Sequence, residues 1–381
     1  MRVGLDARTL AAQARSGVEH YVVNLVRAFS RMEEAPEIVA YVDRPIADPE
    51  VAGAASAGPL STRLLRSRFG WLRLALPFRL WRDGADLVHL PSTILPPLLP
   101  CPAVVTVHDL AWMRYPETYQ PDDLRMQRIA MSGAAARAAA IIAVSESTAR
   151  DLGEHFPRCA DRVAIIPLGV SPRFSPEGPA VSKRAFPGAE RLGGGYVLYA
   201  GGLQPRKNLR ALLAAYRALR SQAEAPPLVL VGQISRHAQE LMEEARRLSV
   251  EQEVIFAGYL PDDMMPALYR GATIFVYPSR YEGFGLPVLE AMASGTPVVT
   301  SSVSAMPEVA GEAALLVSPE SAEELAGAMA RLLADAALRA DLRVRGLARA
   351  RLFTWEETAR RTVEVYRRAL PRTQPNPHGR G

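Results

Sequence analysis

The sequence predicts an α/β protein of two doubly wound parallel-sheet domains that face each other across a cleft. Three observations carry that prediction. Short apolar runs alternate with longer amphipathic stretches, the pattern of parallel sheets covered by helices. This alternation stops after the first half of the chain and then restarts, and the intervening residues 171–195 are rich in Pro, Gly, Ser and charge, a linker composition. The chain has 381 residues, more than one hydrophobic core commonly organises.

In the first half, strands are expected at residues 3–5, 38–42, 87–90, 103–107, 141–144 and 163–166. In the second half they are expected at 196–200, 228–231, 254–256, 274–277 and 298–300. Helical patterns separate them; Leu209, Leu212, Leu213, Tyr216 and Leu219 mark one such apolar face. The domains are placed at 1–175 and 176–350. A last helix at 351–370 is expected to pack back toward the N-terminal domain, with a disordered polar tail at 371–381. In open sheets of this kind, ligands gather at the carboxyl ends of the strands.

Apolar residues make up 49% of the chain and charged residues 22%, a globular balance. The net charge of +5 suits an anionic partner, whether nucleic acid, acidic lipid or nucleotide phosphate. Cys101 and Cys159 are too few for a disulfide framework and lack metal-like spacing, so a reduced, cytoplasmic setting is expected. The first residues read as a strand rather than a signal peptide, and no run approaches the ~20 apolar residues of a spanning helix. Any membrane contact would be peripheral.

The residues that carry chemistry cluster in a few segments. Residues 278–297 follow directly on a predicted strand, and Pro287 suits a first helical turn. Gly283 and Gly285 precede that start, where backbone free of side chains can approach a ligand. The helix start itself favours phosphate. Glu282 and Glu290 flank it, and paired carboxylates suit the hydroxyls of a sugar and a ribose. After the strand at 196–200 come Gly201-Gly-Leu-Gln-Pro-Arg206-Lys207-Asn-Leu, placing two cations at a helix start. The helix dipole disfavours them there unless an anion binds between.

Strand 103–107 ends in His108-Asp109 at the cleft side, with Asp109 open between a site role and capping the next turn. Near the N-terminus, Arg15-Ser-Gly17-Val precedes a helix, a loop able to approach a ligand across the cleft. No Asp-x-Asp occurs, and the pairs Asp122-Asp123 and Asp262-Asp263 follow prolines and read as helix starts. No metal is therefore expected. Negative charge on a bound ligand would be met by cationic side chains and dipoles.

Together the Glu282-x7-Glu290 string, the Pro-Arg206-Lys207-Asn segment and the Thr-Val-His108-Asp-Leu segment resemble retaining GT-B glycosyltransferases of family four, the glycosyl transferases group 1. The likeness covers nearly the full chain and is similar to bacterial mannosyltransferases of surface-polysaccharide assembly. It implies two Rossmann-like domains, acceptor-side first and donor-side second. It further implies that His108 and Glu282 stand at the donor sugar, that Glu290 holds the ribose, and that Arg206 and Lys207 bind the pyrophosphate. Gly17, Gly283, Phe284 and Gly285 would approach the donor, while Tyr259 and Leu260 would hold the base. Many relatives carry an Arg soon after the strand glycine; here Gly202 and Leu203 stand instead, leaving Arg206 and Lys207 to share that task. Other relatives have a second glycine where Glu19 stands. Ser145 and Glu308 match family positions, but capping or packing accounts for them equally.

The implied activity is transfer of a hexosyl group, with mannose suggested, from a nucleoside diphosphate sugar to a growing glycan or lipid-linked sugar, without a metal or other cofactor. A nicotinamide oxidoreductase is disfavoured because neither first strand leads into G-x-G-x-x-G. The alternative is a non-catalytic nucleotide-sugar or glycan-binding protein on the same fold, against which Glu282, His108 and Lys207 argue. Residues 61–82 carry Arg63, Arg66, Arg68, Arg73, Arg79 and Arg82 with no acid, interleaved with Phe69, Trp71, Leu72, Leu74, Phe78 and Trp81. That mixture suits either a solvated helix face or peripheral contact with an anionic membrane. Nucleic acid is not expected as a partner.

Overall fold

A computed structural model describes residues 1–11, 17–67, 70–182, 184–222, 224–234 and 236–370. Arg15, Arg68, Phe69 and the tail 371–381, on which parts of the reading above fall, lie outside the described residues. Two wholly parallel sheets organise the rest. The first contains β1 (Arg2–Asp6), β2 (Glu37–Val42), β3 (Leu60–Leu64), β4 (Leu87–Leu90), β5 (Ala103–Val107), β6 (Ala140–Ala143) and β7 (Val163–Ile165), in the order β3-β2-β1-β4-β5-β6-β7. The second contains β8 (Val197–Ala200), β9 (Leu228–Val231), β10 (Val254–Gly258), β11 (Ile274–Tyr277), β12 (Val298–Ser301) and β13 (Ala314–Val317), in the order β10-β9-β8-β11-β12-β13.

Both orders step outward from the first strand and then reverse, so each sheet has a switch point beside its first strand. Crevices at the carboxyl ends form there. The inner strands β4, β5, β8, β9 and β11 are buried on both faces, which is why they read as nearly continuous apolar runs, broken only by His89 in β4 and Thr106 in β5. Two strands fall outside the expected set. β3 is an edge strand whose Leu-Ser-Thr-Arg-Leu sequence is half polar, and β13 is the opposite edge of the second sheet, with Leu316 exposed. The Ser-Thr-Arg stretch of β3 breaks its apolar run, as suits a wet edge, whereas the Ala-Leu-Leu-Val run of β13 is as apolar as an inner strand and is passed over in the reading above.

The helix Trp355–Ala369 returns to the first domain. Thr354 caps its start, Thr358 Oγ1 donates to the Pro167 carbonyl at 2.8 Å, and Arg361 donates to the Ile165 carbonyl at 2.7 Å. The outgoing and returning crossings also bond each other, Val170 N to Phe353 O at 3.0 Å. The apolar core consequently runs from Val3 and Phe29 of the first domain through Trp355 and Tyr366 into the second.

Candidate active site

The site is built around the loop that leaves β11. Glu282 sits on it, buried, and its carboxylate lies between two cations from the turn after β8. Lys207 Nζ is 2.5 Å from one oxygen and Arg206 Nη1 3.2 Å from the other. Arg206 also donates to the Tyr281 carbonyl at 2.7 Å, and Lys207 to Tyr277 Oη at 2.8 Å. Ser304 closes the back of the loop, accepting from Glu282 N at 3.0 Å and donating to its carbonyl at 2.7 Å.

Burial alone would push the Glu282 carboxyl up, but Lys207 and Arg206 together hold it down to about 2. Burial pushes the Lys207 ammonium down, and Glu282 opposes that. The two cations occupy a short 3-10 turn, Pro205–Lys207, ahead of the helix Leu209–Gln222 rather than the helix start itself. Their counter-charge in the free chain is Glu282, which corrects the expectation that a bound anion alone explains them.

The glycines of the loop serve the protein before any ligand. A side chain on Gly283 would overlap the His108 carbonyl of the first domain. Gly285 has φ +110 at the start of the helix Leu286–Ala293, and a Cβ there would meet Met306. Packing within the chain therefore already requires glycine at both positions. Phe284 is buried edge-on against Phe353, with ring centroids 5.8 Å apart, and Leu260 is a core residue. Their side chains pack the fold rather than line a cleft. Tyr259 is 53% exposed and lines a separate interdomain cavity of about 940 Å³ with Arg27, Arg173 and Asp262. Asp262-Asp263 lie in a turn before the helix Met265–Gly271, and Asp262 stands 3.7 Å from His20 across the domain boundary.

Glu290 accepts from Tyr269 Oη at 3.0 Å. Burial pushes its carboxyl up to about 7, with Arg173 and Tyr269 opposing. The folded chain therefore holds a proton that the unfolded chain, with an ordinary carboxyl at 4.5, releases. Stability is expected to fall as pH rises through that window, and Glu290→Gln to flatten the slope between pH 4.5 and 7. Thermal melts without nucleotide check this; an unchanged slope in the variant contradicts it.

Across the cleft, His108 follows β5. The Pro91 backbone hydrogen-bonds its ring, while Nε2 is buried without a partner among the described residues. Burial lowers the imidazole below its ordinary value, although Asp109 pulls the other way. A neutral ring tied on one side offers its second nitrogen to a hydroxyl. Asp109 accepts from Ala111 N at 2.9 Å, bracing the turn that leads into the following short helix. The Tyr21 ring packs edge-on to His108 at 5.0 Å, and Tyr21 Oη meets Thr106 Oγ1 at 3.1 Å. Thr106 meets His89 at 2.8 Å, and His89 meets Tyr366 of the returning helix at 2.7 Å. Burial, with His108 nearby, pushes His89 down to about 3, so this chain of bonds is neutral. Gly17 opens the helix Gly17–Ser30, exposed, with nothing close to where a Cβ would stand.

Several residues that position the site escape sequence reasoning. Tyr281 Oη donates to Asp151 of the first domain at 2.6 Å and accepts from Leu110 N at 3.0 Å. Thr148 Oγ1 donates to the Gly283 carbonyl at 3.2 Å, and Glu308 accepts from Glu146 N at 3.0 Å. Glu308, left between capping and packing above, is a cross-domain tie, and Ser145 caps the helix Glu146–His155. Only the Glu308 match to a family position signalled any of these contacts in advance. Among the described residues no group of three or more His, Cys, Asp or Glu could hold a metal ion.

The family model for glycosyltransferase family 4 matches residues 15–174, and that for glycosyl transferases group 1 matches residues 183–349. The O-antigen chain mannosyltransferase B of Escherichia coli is 35% identical over 288 residues, 75% of each chain. The chain belongs to glycosyltransferase family 4. The transferase reading thus stands over the oxidoreductase and the non-catalytic binder. Sucrose-phosphate synthase from Thermosynechococcus elongatus has the same fold, with TM-score 0.75 at 23% identity over 96% of this chain and 98% of that one. Anabaena Alr3699/HepE, solved in complex with UDP and glucose, gives TM-score 0.72 at 18% identity over 96% and 99%. The fold of the transferase is therefore GT-B.

Proposed function

We propose that the transferase moves a hexosyl group, mannose on the likeness to the E. coli mannosyltransferase, from a nucleoside diphosphate sugar to a hydroxyl of a growing glycan or lipid-linked sugar. The observation that carries this is the pairing of Arg206 and Lys207 with Glu282, on a loop whose next residue, Gly283, abuts the His108 carbonyl. The diphosphate takes up the two cations, where negative charge develops as the anomeric bond breaks. His108 Nε2 accepts a sugar hydroxyl, and Glu290 accepts from the ribose. Alr3699/HepE, which shares the fold, was solved in complex with UDP, and this supports a nucleotide ligand for the fold.

Anomeric configuration is retained in this reading, by attack from the face that the diphosphate leaves. The acceptor oxygen bonds to the anomeric carbon, the carbon–diphosphate bond breaks, and the acceptor proton passes to the diphosphate. Double displacement needs a free carboxylate about 5 Å from the acid. Glu282, held ionised between two cations, is a poor nucleophile. Those cations also supply what a divalent ion would supply, so no metal is required. Transfer from GDP-mannose is measured in excess chelator, with the product linkage read by NMR. Undiminished turnover and an α-linked product are expected. Activity that collapses in chelator and returns with manganese overturns the metal-free step, and a β-linked product overturns retention.

A further inference from the structure

The arginine-rich segment 61–82 is not one helix face, as its sequence allowed. Its described residues include the edge strand β3, a single π-helical turn Trp71–Ala75 and the helix Leu76–Asp83. Trp71, Leu76 and Leu80 are buried under the first sheet. The opposite face is bare: Leu74 is 72% exposed, Phe78 58% and Trp81 68%. Their spacing of four and three places them in one stripe. The Phe78 and Trp81 rings touch at 5.9 Å, presenting a joined aromatic surface.

Around the stripe, Arg63, Arg66, Arg73 and Arg82 are exposed, with Leu64 beside them on the sheet edge. Arg79 pairs with Asp83 at 3.0 Å, but none of the other four has a carboxylate partner among the described residues. A merely solvated basic face does not expose Phe and Trp in a row. Exposed aromatics ringed by unpaired arginines match the interface of an anionic bilayer, rings at headgroup depth and guanidinium groups on phosphate.

We propose that this face, Leu74, Phe78 and Trp81 with Arg63, Arg66, Arg73 and Arg82, docks the transferase onto an anionic lipid bilayer. The patch also lies beside the cleft. The Trp71 ring sits 4.4 Å under Arg8, which follows the carboxyl end of β1 where the first sheet opens toward the second domain. A lipid-linked acceptor held in the docked bilayer would thus reach the cleft from its acceptor side. Among the described residues no helix is long and apolar enough to cross a membrane, so docking is from the surface.

The test is vesicle flotation of the full chain, with phosphatidylcholine alone and with phosphatidylcholine mixed with phosphatidylglycerol, at low and high salt. No donor is present, so the result does not depend on the proposed transfer. Flotation is expected only with the anionic vesicles and is expected to weaken at high salt. Each arginine is expected to contribute roughly fivefold to partitioning at low salt. The pair Arg73→Glu and Arg82→Glu should therefore weaken it by more than an order of magnitude, as should Phe78→Ser with Trp81→Ser. Transfer to a soluble acceptor should be unchanged in all of these variants. Absence of flotation, equal flotation on neutral vesicles, or undiminished flotation of both variant pairs overturns the proposal. A patch that serves a second copy instead would show as a concentration-dependent dimer, lost in Phe78→Ser with Trp81→Ser, with no vesicle binding.

Discussion

Lys207→Ala is expected to slow transfer about 10²–10³-fold, the usual cost of removing one charge-stabilising donor from a developing anion. It should also destabilise the folded chain by about 3–5 kcal/mol, because Glu282 stays buried with only Arg206 to balance it. The two losses separate by a double substitution. Adding Glu282→Gln removes the stranded carboxylate, so stability should recover in part while activity should not. Chemical denaturation and turnover measured on the same preparations check this. Additive losses in stability contradict a coupled pair.

The same carboxylate sets an acid limit. Its folded value of about 2 lies below the ordinary 4.5, so its contribution is complete above pH 4.5 and is lost as pH falls toward 2. Glu282→Gln should remove that part of the acid transition.

Gly283→Ala is the second large effect. The added methyl meets the His108 carbonyl, a backbone atom that cannot swing aside, so the two domains must separate at the point where the site closes. A displacement of about an ångström at a reacting centre costs on the order of 10²-fold in rate. The expected result is a variant that still folds and binds nucleotide through Arg206, Lys207 and Glu290, yet turns over on the order of 10²-fold more slowly. Small-angle scattering should show a larger particle. Wild-type turnover and dimensions in this variant contradict the closed arrangement.

The inner strands and the restart of the pattern were legible because a strand covered on both faces is apolar along most of its length. The edge strand β3 was not, since Ser61, Thr62 and Arg63 interrupt its apolar pattern, and the short apolar run of β13 lies just ahead of the helical pattern that follows it. Within the site, Glu282, Arg206 and Lys207 were identifiable as residue types, but their contact joins positions 75 apart and depends on two strand-end loops meeting at the switch point. Phe284 and Leu260 stand among site residues in sequence, yet their side chains face the core. Tyr281 and Asp151 show the converse. Each has an ordinary local explanation, and only domain closure brings them to 2.6 Å. His89 was hidden inside an apolar strand, where its partners on β5 and the last helix could not be foreseen.

The central claim is that a nucleoside diphosphate binds at the Arg206–Lys207 pair. It is tested most directly by thermal shift and calorimetry with GDP, UDP, ADP and their sugars on the wild type and on Arg206→Ala with Lys207→Ala. At a hundredfold excess over Kd, a ligand specific to the folded chain adds about 2.7 kcal/mol. One nucleotide series should stabilise the wild type in this way and leave the double variant unshifted. Equal binding by both proteins, or no binding of any nucleoside diphosphate by the wild type, contradicts the account.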